Sequence, residues 1–322
     1  MQSHEFFAPI KRELQTTEEE LYKAVDTRHP LLKQASSHLI HAGGKRLRPA
    51  FVLLTGSCFT SNIDHLIPMA VAMELVHMAT LVHDDVIDNS LSRRGRDTVK
   101  ARFGNRMSIY SGDYMLAKAL HKVGEYSRAD LMKIVTETSV KVCQGEFVQL
   151  QSAFDVEQGI IDYFRRIERK TALLIAVACQ VGALLAGASP PMVRAMQRFG
   201  RYLGMSFQIT DDILDFTADD SVLGKPTGSD IRQGIITLPA LYALRNCPEA
   251  SELRDILSSP ENVARHADRA LSIINSSGGI EYSQKVAEKY IAKAHLMLEQ
   301  IPSSQARTAL SRIADFICIR DY

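Results

Sequence analysis

The segment MAVAMELVHMATLVHDDVID, residues 69–88, is apolar on nearly every face until its C-terminal end. A helix that is hydrophobic all round is normally buried in the core of a protein. We therefore expect this helix to run through the interior and to carry its aspartates toward a cavity. A second stretch, FGRYLGMSFQITDDILDF at residues 199–216, ends in the same way.

Helical periodicity also dominates the rest of the 322-residue chain, and no long run alternates strictly between apolar and polar residues. Helix breaks are predicted where glycine, proline and small polar residues collect, at residues 43–44, 90–96, 189–191 and 217–234. Helix starts are predicted at a capping box on Thr17 and at the Ser259-Pro260 pair. Because no low-complexity linker divides the chain, we predict one all-α domain over residues 1–322, a large helical bundle around a central cavity.

Composition excludes several classes of protein. The formal net charge of +1 lacks the strongly basic balance of a nucleic-acid-binding protein, so no nucleic-acid partner is expected. The five cysteines form no C-x-x-C pair, which argues against a disulfide framework or a zinc site and fits a reducing cytosol. The uncharged residues 171–193 are diluted by glycines, alanines and Gln180, so we interpret them as a buried core helix and not as a membrane span.

The two aspartate clusters share the spacing Asp-Asp-x-x-Asp, in the triplets Asp84, Asp85, Asp88 and Asp211, Asp212, Asp215. Positions i and i+4 lie on one face of a helix, with i+1 about 100° away, so each triplet projects together. Such close carboxylates repel one another, and a bound cation would neutralise them. Magnesium is favoured because it prefers hard oxygen ligands and bridges carboxylates to phosphates. The alternative is a solvated acidic helix end, which a matching pair of clusters in apolar sequence disfavours.

Two basic runs could bind a diphosphate. GGKRLRP at residues 43–49 offers three cations in a glycine turn, and SRRGR at residues 92–96 directly follows the first aspartate cluster. The planar fork of arginine matches phosphate oxygens, whereas lysine acts as a point charge. Either run alone could be a solvated loop. Beside an acidic cluster, they predict a site in which metal, diphosphate and arginine neutralise one another.

Six blocks in order resemble the characteristic motifs of trans-isoprenyl diphosphate synthases. They are HAGGKRLRP, ELVHMATLVHDDVIDNSLSRRG, FGNRMSIYSGDYMLAKAL, ERKTALL, FQITDDILDF and GKPTGSDIRQGIITLP. The resemblance extends over residues 41–239 and is specific because the motifs are long and mutually ordered. Within the family, the sequence is most similar to the catalytic component of bacterial medium- and long-chain synthases.

The resemblance implies a role for each matching residue. Magnesium, roughly three ions per active site, would be held on the allylic diphosphate by all six aspartates. The positions that match the isopentenyl diphosphate site are Lys45, Arg48, His77 and Arg94. The positions that match the allylic diphosphate site are Arg93, Lys170, Thr171, Gln208 and Lys225. Arg93 and Lys170 are expected to act in catalysis as well.

The implied reaction is chain elongation, in which isopentenyl diphosphate attacks the cation left by the departing allylic diphosphate. Product length is expected to depend on Ala79, five residues before Asp84, where relatives that stop at short products carry an aromatic residue. Ala79 and Val76, one turn deeper, leave room for a longer tail. We expect an all-trans product of C30 to C50, with C35 as the single best choice, for the side chain of a quinone.

One position departs from the family pattern. Ile235 stands where many homodimeric relatives have a lysine, and two-component bacterial synthases also tend to lack that lysine. The expected partner is therefore either a second copy of the chain or a small non-catalytic subunit. The expected location is the cytoplasm, or the periphery of a membrane to which the product would be delivered.

Two other functions remain open from the sequence alone. A terpene cyclase shares the helical fold, and a non-catalytic regulatory subunit would keep the fold without the metal clusters. Cyclases usually replace the second aspartate cluster and do not need the GGKRLRP block, and a regulatory subunit would have lost the clusters. Both complete Asp-Asp-x-x-Asp clusters therefore argue against these alternatives.

Overall fold

The computed structural model describes residues 6–93, 95–217 and 227–318, and 79% of these described residues are helical. In chain order, the α-helices are α1 (Lys11–Ala24), α2 (Pro30–His41), α3 (Leu47–Ser57), α4 (Ile67–Ile87), α5 (Val99–Gly124), α6 (Ala129–Gln151), α7 (Ile160–Ile167), α8 (Leu173–Leu185), α9 (Pro190–Thr217), α10 (Ser229–Arg232), α11 (Leu238–Asn246), α12 (Ala250–Leu257), α13 (Pro260–Ser276), α14 (Gly279–Leu298) and α15 (Gln305–Cys318). The strands β1 (Ser92–Arg93) and β2 (Arg96–Asp97) pair antiparallel. The all-α prediction is confirmed.

Contacts between Cα atoms divide the chain into two compact units. Unit 1 comprises Met1–Ser139, Leu174–Gln197 and Leu298–Arg312. Unit 2 comprises Val140–Leu173, Arg198–Met297 and Ile313–Tyr322. The interpretation of residues 1–322 as one domain around a central cavity stays a prediction.

Helix α4 is the core helix of unit 1, as its apolar sequence predicts. It packs against α1, α3 and α5, and most of its residues are buried. Among the described residues, the segment Asp64–Ile87 is long and apolar enough to cross a membrane by composition, with a mean hydropathy of 1.5. Since 72% of that apolar window is buried inside the protein, the segment is better explained as a core helix. Most of α8 is buried as well, which confirms the prediction of a buried core helix for Leu173–Leu185. Residues 186–192 do not extend that helix, because they form the connection to α9 and its first turn and are half-buried or exposed.

Unit 2 has its own apolar core, formed by side chains from α7, α9 and α11 to α13. Between α7 and α8 the chain forms one π-helical turn, Glu168–Ala172. Helices α6 and α9 approach this turn closely through glycines, because a Cβ on Gly145 would lie 2.7 Å from Arg169 and one on Gly204 would lie 2.5 Å from Ala172. The glycines therefore allow the turn to sit tightly against both helices.

The predicted helix breaks at residues 43–44, 90–96 and 189–191 fall where one helix ends and the next begins. Of the break predicted at 217–234, residues 218–226 lie outside the described residues, and α10 forms a short helix at Ser229–Arg232. One predicted helix start is wrong. Ser259 caps α13 and accepts a hydrogen bond from the Asn262 backbone N–H, as predicted. Thr17 lies inside α1 instead of capping a helix, and its hydroxyl donates to the Glu13 carbonyl at 2.7 Å. The chain upstream already forms helix from Lys11, so Thr17 satisfies its hydroxyl within that helix.

Within unit 1, helices α3 and α8 cross at a glycine. A Cβ on Gly182 would lie 2.3 Å from both the Thr55 hydroxyl and the Val52 carbonyl oxygen, a distance that requires the backbone to move. We predict that Gly182→Ala lowers the free energy of unfolding by about 1–3 kcal/mol because it overpacks this crossing. Urea denaturation followed by circular dichroism measures the change.

Gly124→Ala is the matched control, because the nearest atom to a Cβ there is 3.9 Å away. That variant should be neutral or slightly stabilising. Equal stability of Gly182→Ala and the wild-type protein would show that the two helices do not require a glycine at their crossing.

Candidate active site

The first aspartate cluster lies at the C-terminal end of α4. Asp84 is half-buried, Asp85 is buried at 1% exposure, and Asp88 is exposed. Asp88 ends the helix, and its backbone N–H donates to the Asp84 carbonyl at 2.8 Å. The three carboxylates thus emerge from the core of unit 1 toward its surface, as the apolar sequence of α4 predicts.

Asp85 is neutralised by an arginine that follows it in the chain. After α4 the chain turns back, with the Ser90 N–H donating to the Asp85 carbonyl at 3.0 Å, and strand β1 brings Arg93 to the carboxylate. Both Nε and Nη2 of Arg93 lie 2.8 Å from Asp85 Oδ1. Burial raises the pKa of Asp85, and the hydrogen bond and charge of Arg93 oppose that rise only in part.

The second cluster lies near the end of α9 and repeats the first only in part. Asp211 is half-buried and Asp212 is buried, which matches Asp84 and Asp85. Asp215 is buried, whereas the equivalent Asp88 is exposed. Asp215 Oδ2 accepts the Asp230 N–H at 3.0 Å, so this carboxylate also holds the chain at the start of α10.

Asp212 is held by neutral hydrogen-bond donors. Tyr163 Oη donates to its Oδ2 at 2.7 Å, and Gln208 Nε2 donates to its Oδ1 at 2.9 Å. Gln208 is oriented in turn by Thr171, whose hydroxyl donates to Gln208 Oε1 at 2.6 Å. The predicted residues Thr171, Gln208 and Asp212 therefore form one hydrogen-bonded chain within unit 2.

The electrostatic environment of Asp212 disfavours its charged form. Burial, followed by the negative charge of Asp230, raises its pKa to about 7. The hydrogen bonds from Gln208 and Tyr163 and the charge of Arg166 oppose that rise. A cation that binds this carboxylate would remove the penalty of keeping it ionised.

Lys170 lies on the π-helical turn and faces α6. Its Nζ donates to Glu146 Oε2 at 3.0 Å and to Gln149 Oε1 at 3.2 Å. Single π-helical turns recur at functional sites because they insert an extra residue and redirect side chains. Here the turn carries both Lys170 and Thr171, two of the predicted allylic-site residues.

These residues surround a small cavity of unit 2, about 80 Å³ in volume. Its wall includes Lys170, Gln208, Asp212, Arg166, Asp230 and Ile235. Arg166, Tyr163 and Asp230 were not predicted as site residues from the sequence. Asp230 lies inside the block GKPTGSDIRQGIITLP, so the sequence carried a signal for it. Tyr163 and Arg166 have only their position as a signal, three residues apart on α7.

The glycine turn in unit 1 exposes fewer cations than its sequence suggests. Lys45 is exposed and Arg48 is half-buried, whereas Arg46 is buried. Arg46 Nε and Nη2 donate to Glu18 at 2.6 and 2.7 Å, and Nη1 donates to Glu74 at 3.2 Å. Of the three cations that the sequence offers in this turn, Arg46 is therefore engaged by two carboxylates, and diphosphate binding by Lys45 and Arg48 stays a prediction.

Arg46 also fixes the shape of that turn. It has a left-handed backbone, with φ 47°, directly before α3. Such a conformation is uncommon outside glycine and needs support from surrounding contacts. The ion pairs with Glu18 and Glu74 supply it, so a buried arginine positions the flanking residues Lys45 and Arg48.

The remaining predicted residues of α4 lie on its buried length. His77 is half-buried, and Ala79 and Val76 are each 2% exposed. His83 lies against α5, where a Cβ on Gly112 would come within 2.3 Å of its Nε2. Arg94 and Lys225 lie outside the described residues.

The chemistry of the donor set fits magnesium. All six side chains of the two clusters offer carboxylate oxygens, the hard ligands that magnesium prefers. Within the part of the chain that the structure describes, no three histidine, cysteine, aspartate or glutamate side chains already form a complete metal cage. Magnesium keeps several waters and shares its coordination with substrate phosphates.

Three comparisons relate this chain to known proteins. Residues 29–274 match the sequence profile of a family described as Polyprenyl synthetase. The chain is 44% identical to heptaprenyl diphosphate synthase component 2 of Geobacillus stearothermophilus, over 97% of each protein. Its structure resembles that of heptaprenyl diphosphate synthase from Staphylococcus aureus, with TM-score 0.92, 37% identity and coverage of 97% of this chain and 99% of that one. It also resembles a polyprenyl synthase from Caulobacter crescentus complexed with calcium and isoprenyl diphosphate, with TM-score 0.93, 30% identity and coverage of 99% and 98%.

The raised pKa of Asp212 has a consequence for stability in the metal-free protein. Between about pH 4 and pH 7 the folded state holds a proton on Asp212 that the unfolded state has released, so raising the pH favours unfolding. We predict that Asp212→Asn gains stability relative to the wild-type protein as the pH rises through this window. Urea denaturation in the presence of a chelator, at several pH values, measures the difference.

If folding lowered the pKa of Asp212, Asp212→Asn would instead lose stability relative to the wild-type protein as the pH rises. The direction of the pH dependence therefore shows whether folding raises or lowers this pKa. Saturating magnesium should reduce the difference between the two proteins, because a cation favours the ionised carboxylate. A stability difference that does not vary with pH would contradict the raised pKa.

Proposed function

Because the chain belongs to the polyprenyl synthetase family and is a chain-elongating prenyltransferase, we propose that its product is a heptaprenyl diphosphate. The observation that carries this proposal is the 44% identity to heptaprenyl diphosphate synthase component 2 over nearly the whole of both chains. The substrates proposed are isopentenyl diphosphate and an allylic prenyl diphosphate, and the C35 product would supply the side chain of a quinone such as menaquinone.

We propose that the two substrates occupy separate groups of residues. Isopentenyl diphosphate would bind Lys45, Arg48, His77 and Arg94. The allylic diphosphate would bind Arg93, Lys170, Thr171, Gln208 and Lys225. The orientation of Gln208 by Thr171, at 2.6 Å, supports this grouping because a fixed amide can hold both a carboxylate and a phosphate oxygen. The Caulobacter relative, solved with calcium and isoprenyl diphosphate, supports a site for a divalent cation beside such a ligand.

The family uses magnesium with its diphosphate substrates. We propose that roughly three ions are held by Asp84, Asp85, Asp88, Asp211, Asp212 and Asp215. When bound, magnesium would offset the charge that develops on the departing diphosphate. Arg93 and Lys170 would contribute in the same way, since fixed cations near a leaving group stabilise the transition state.

The proposed step breaks the allylic C–O bond, and its electron pair leaves with the diphosphate. The double bond of isopentenyl diphosphate then forms the new C–C bond with the allylic cation, and the proton lost from the product passes to the released diphosphate. No side-chain base is required. The protein would hold both diphosphates in position and exclude water from the allylic cation.

We propose that this chain acts with a partner subunit. Its relative from Geobacillus stearothermophilus is named as component 2 of its enzyme, and Ile235 stands where the sequence resemblance expects a lysine in homodimeric enzymes. A small non-catalytic subunit is therefore favoured over a second copy of this chain. The proposed location is the cytoplasm or the periphery of a membrane that receives the product.

Product length provides the test of this function. The chain, with and without the candidate partner subunit, is incubated with isopentenyl diphosphate, magnesium and allylic primers of different length. Dephosphorylated products are sized by chromatography, and we expect C35 from the wild-type protein. Ala79→Tyr should shorten the product, because the new ring would stand roughly 7 to 8 Å below Asp84 on α4.

Val76→Tyr is the matched variant, since Val76 lies on the same face one turn deeper. Its product should be intermediate between those of Ala79→Tyr and the wild-type protein, an order that general destabilisation would not produce. A product of unchanged length in both variants would refute the role of α4, and the absence of any elongated product from the wild-type protein with its partner would refute the function.

A further inference from the structure

Arg166 is a buried cation in the cavity of unit 2. The sequence did not predict a role for it. It lies on α7 at 4% exposure and lines the cavity together with Lys170, Gln208 and Asp212. A buried charge is costly unless a partner or a ligand compensates it. The contacts of Arg166 therefore decide whether its charge is satisfied within the protein.

The hydrogen bonds of Arg166 go to uncharged acceptors. Its Nη2 donates to the Ile236 carbonyl at 2.7 Å, and its Nη1 donates to Gln158 Oε1 at 3.2 Å. The guanidinium carbon lies 5.5 Å from the centre of the Tyr163 ring. Lys170 and Arg93, by contrast, each contact a carboxylate directly, Glu146 and Asp85 respectively.

The same contacts fix one wall of the cavity. Arg166 and Gln158 both donate to the Ile236 carbonyl, the latter at 2.9 Å. The neighbours of Ile236 on either side, Ile235 and Thr237, line the cavity. Ile235 gives this wall an uncharged side chain. Arg166, which holds the wall through the Ile236 carbonyl, supplies a positive charge beside it.

We propose that Arg166 is a positioning residue for the diphosphate bound in this cavity. It fixes the wall formed by residues 235–237, and its charge offsets the negative charge that the bound diphosphate brings beside Asp212. The inference rests on the proposed function for the identity of the ligand, a diphosphate bound with a divalent cation. The charge of Arg166 already acts on the Asp212 carboxylate in the same cavity. A diphosphate entering the cavity would add a second anion within reach of that charge.

The test compares Arg166→Gln with Arg165→Gln in the full chain, together with its partner subunit where turnover requires one. Arg165 is the matched control because it is the adjacent arginine and its side chain is exposed, with an ion pair to Asp162 at 3.4 Å. Calorimetry measures the affinity for inorganic pyrophosphate in magnesium, and steady-state kinetics measure KM for each substrate. We expect Arg166→Gln to weaken pyrophosphate binding and to raise the allylic KM by about 10-fold or more, with the KM for isopentenyl diphosphate unchanged.

Moving the charge separates an electrostatic role from a purely structural one. Arg166→Lys should keep most of the affinity, and Ile235→Lys added to Arg166→Gln should recover part of what was lost, because both side chains line the same cavity. Ile235→Lys alone should tighten pyrophosphate binding. This variant tests the effect of positive charge at the cavity wall even if Arg166→Gln does not fold. Pyrophosphate affinity in Arg166→Gln equal to that of Arg165→Gln, or no gain from Ile235→Lys in either background, would overturn the proposal.

The binding measurement also separates this inference from the proposed function. Arg166-dependent pyrophosphate binding in a protein that elongates no primer would support the inference and refute the function. Normal elongation to C35 with an allylic KM that does not depend on Arg166 would support the function and overturn the inference.

Discussion

Two buried carboxylates, Asp85 and Asp212, determine how each unit arranges the side chains around its aspartate cluster. Each follows a long apolar helical segment that brings it out of a hydrophobic core, where an ionised group is costly without a partner. The two units compensate the burial of their carboxylates in different ways. Unit 1 places Arg93 on Asp85, whereas unit 2 surrounds Asp212 with Tyr163 and Gln208 and leaves its pKa raised to about 7.

The two aspartate clusters also differ in their structural roles. The third carboxylate of the first cluster, Asp88, is exposed at the end of α4, whereas Asp215 holds the start of α10 through the Asp230 N–H. The second cluster is therefore built into the fold of unit 2 as well as into its cavity. Around it, two glycines admit a π-helical turn that presents Lys170 and Thr171, and Arg166 fixes the wall beside Ile235.

The sequence predicts the parts of this arrangement that follow from hydrophobic pattern and motif spacing. The burial of α4 and of Leu173–Leu185 follows from apolar sequence, and the breaks between the main helices follow from glycine, proline and small polar residues. The direction of single side chains does not, because it depends on contacts between residues far apart in the chain. Arg46 illustrates this: its motif suggests a phosphate ligand, but Glu18 and Glu74 draw it inward. Arg166 illustrates the converse, since its burial beside Asp212 depends on how α7 meets residues 235–237.

We propose that both carboxylate clusters bind a diphosphate through magnesium. Calorimetric titration of inorganic pyrophosphate into the full chain tests it directly, with magnesium or with a chelator, in the wild-type protein and in Asp84→Ala and Asp211→Ala. We predict that pyrophosphate binding requires magnesium. Each substitution should weaken that binding by about 10-fold or more. Pyrophosphate binding of unchanged affinity in the chelator, or in both variants, would contradict it.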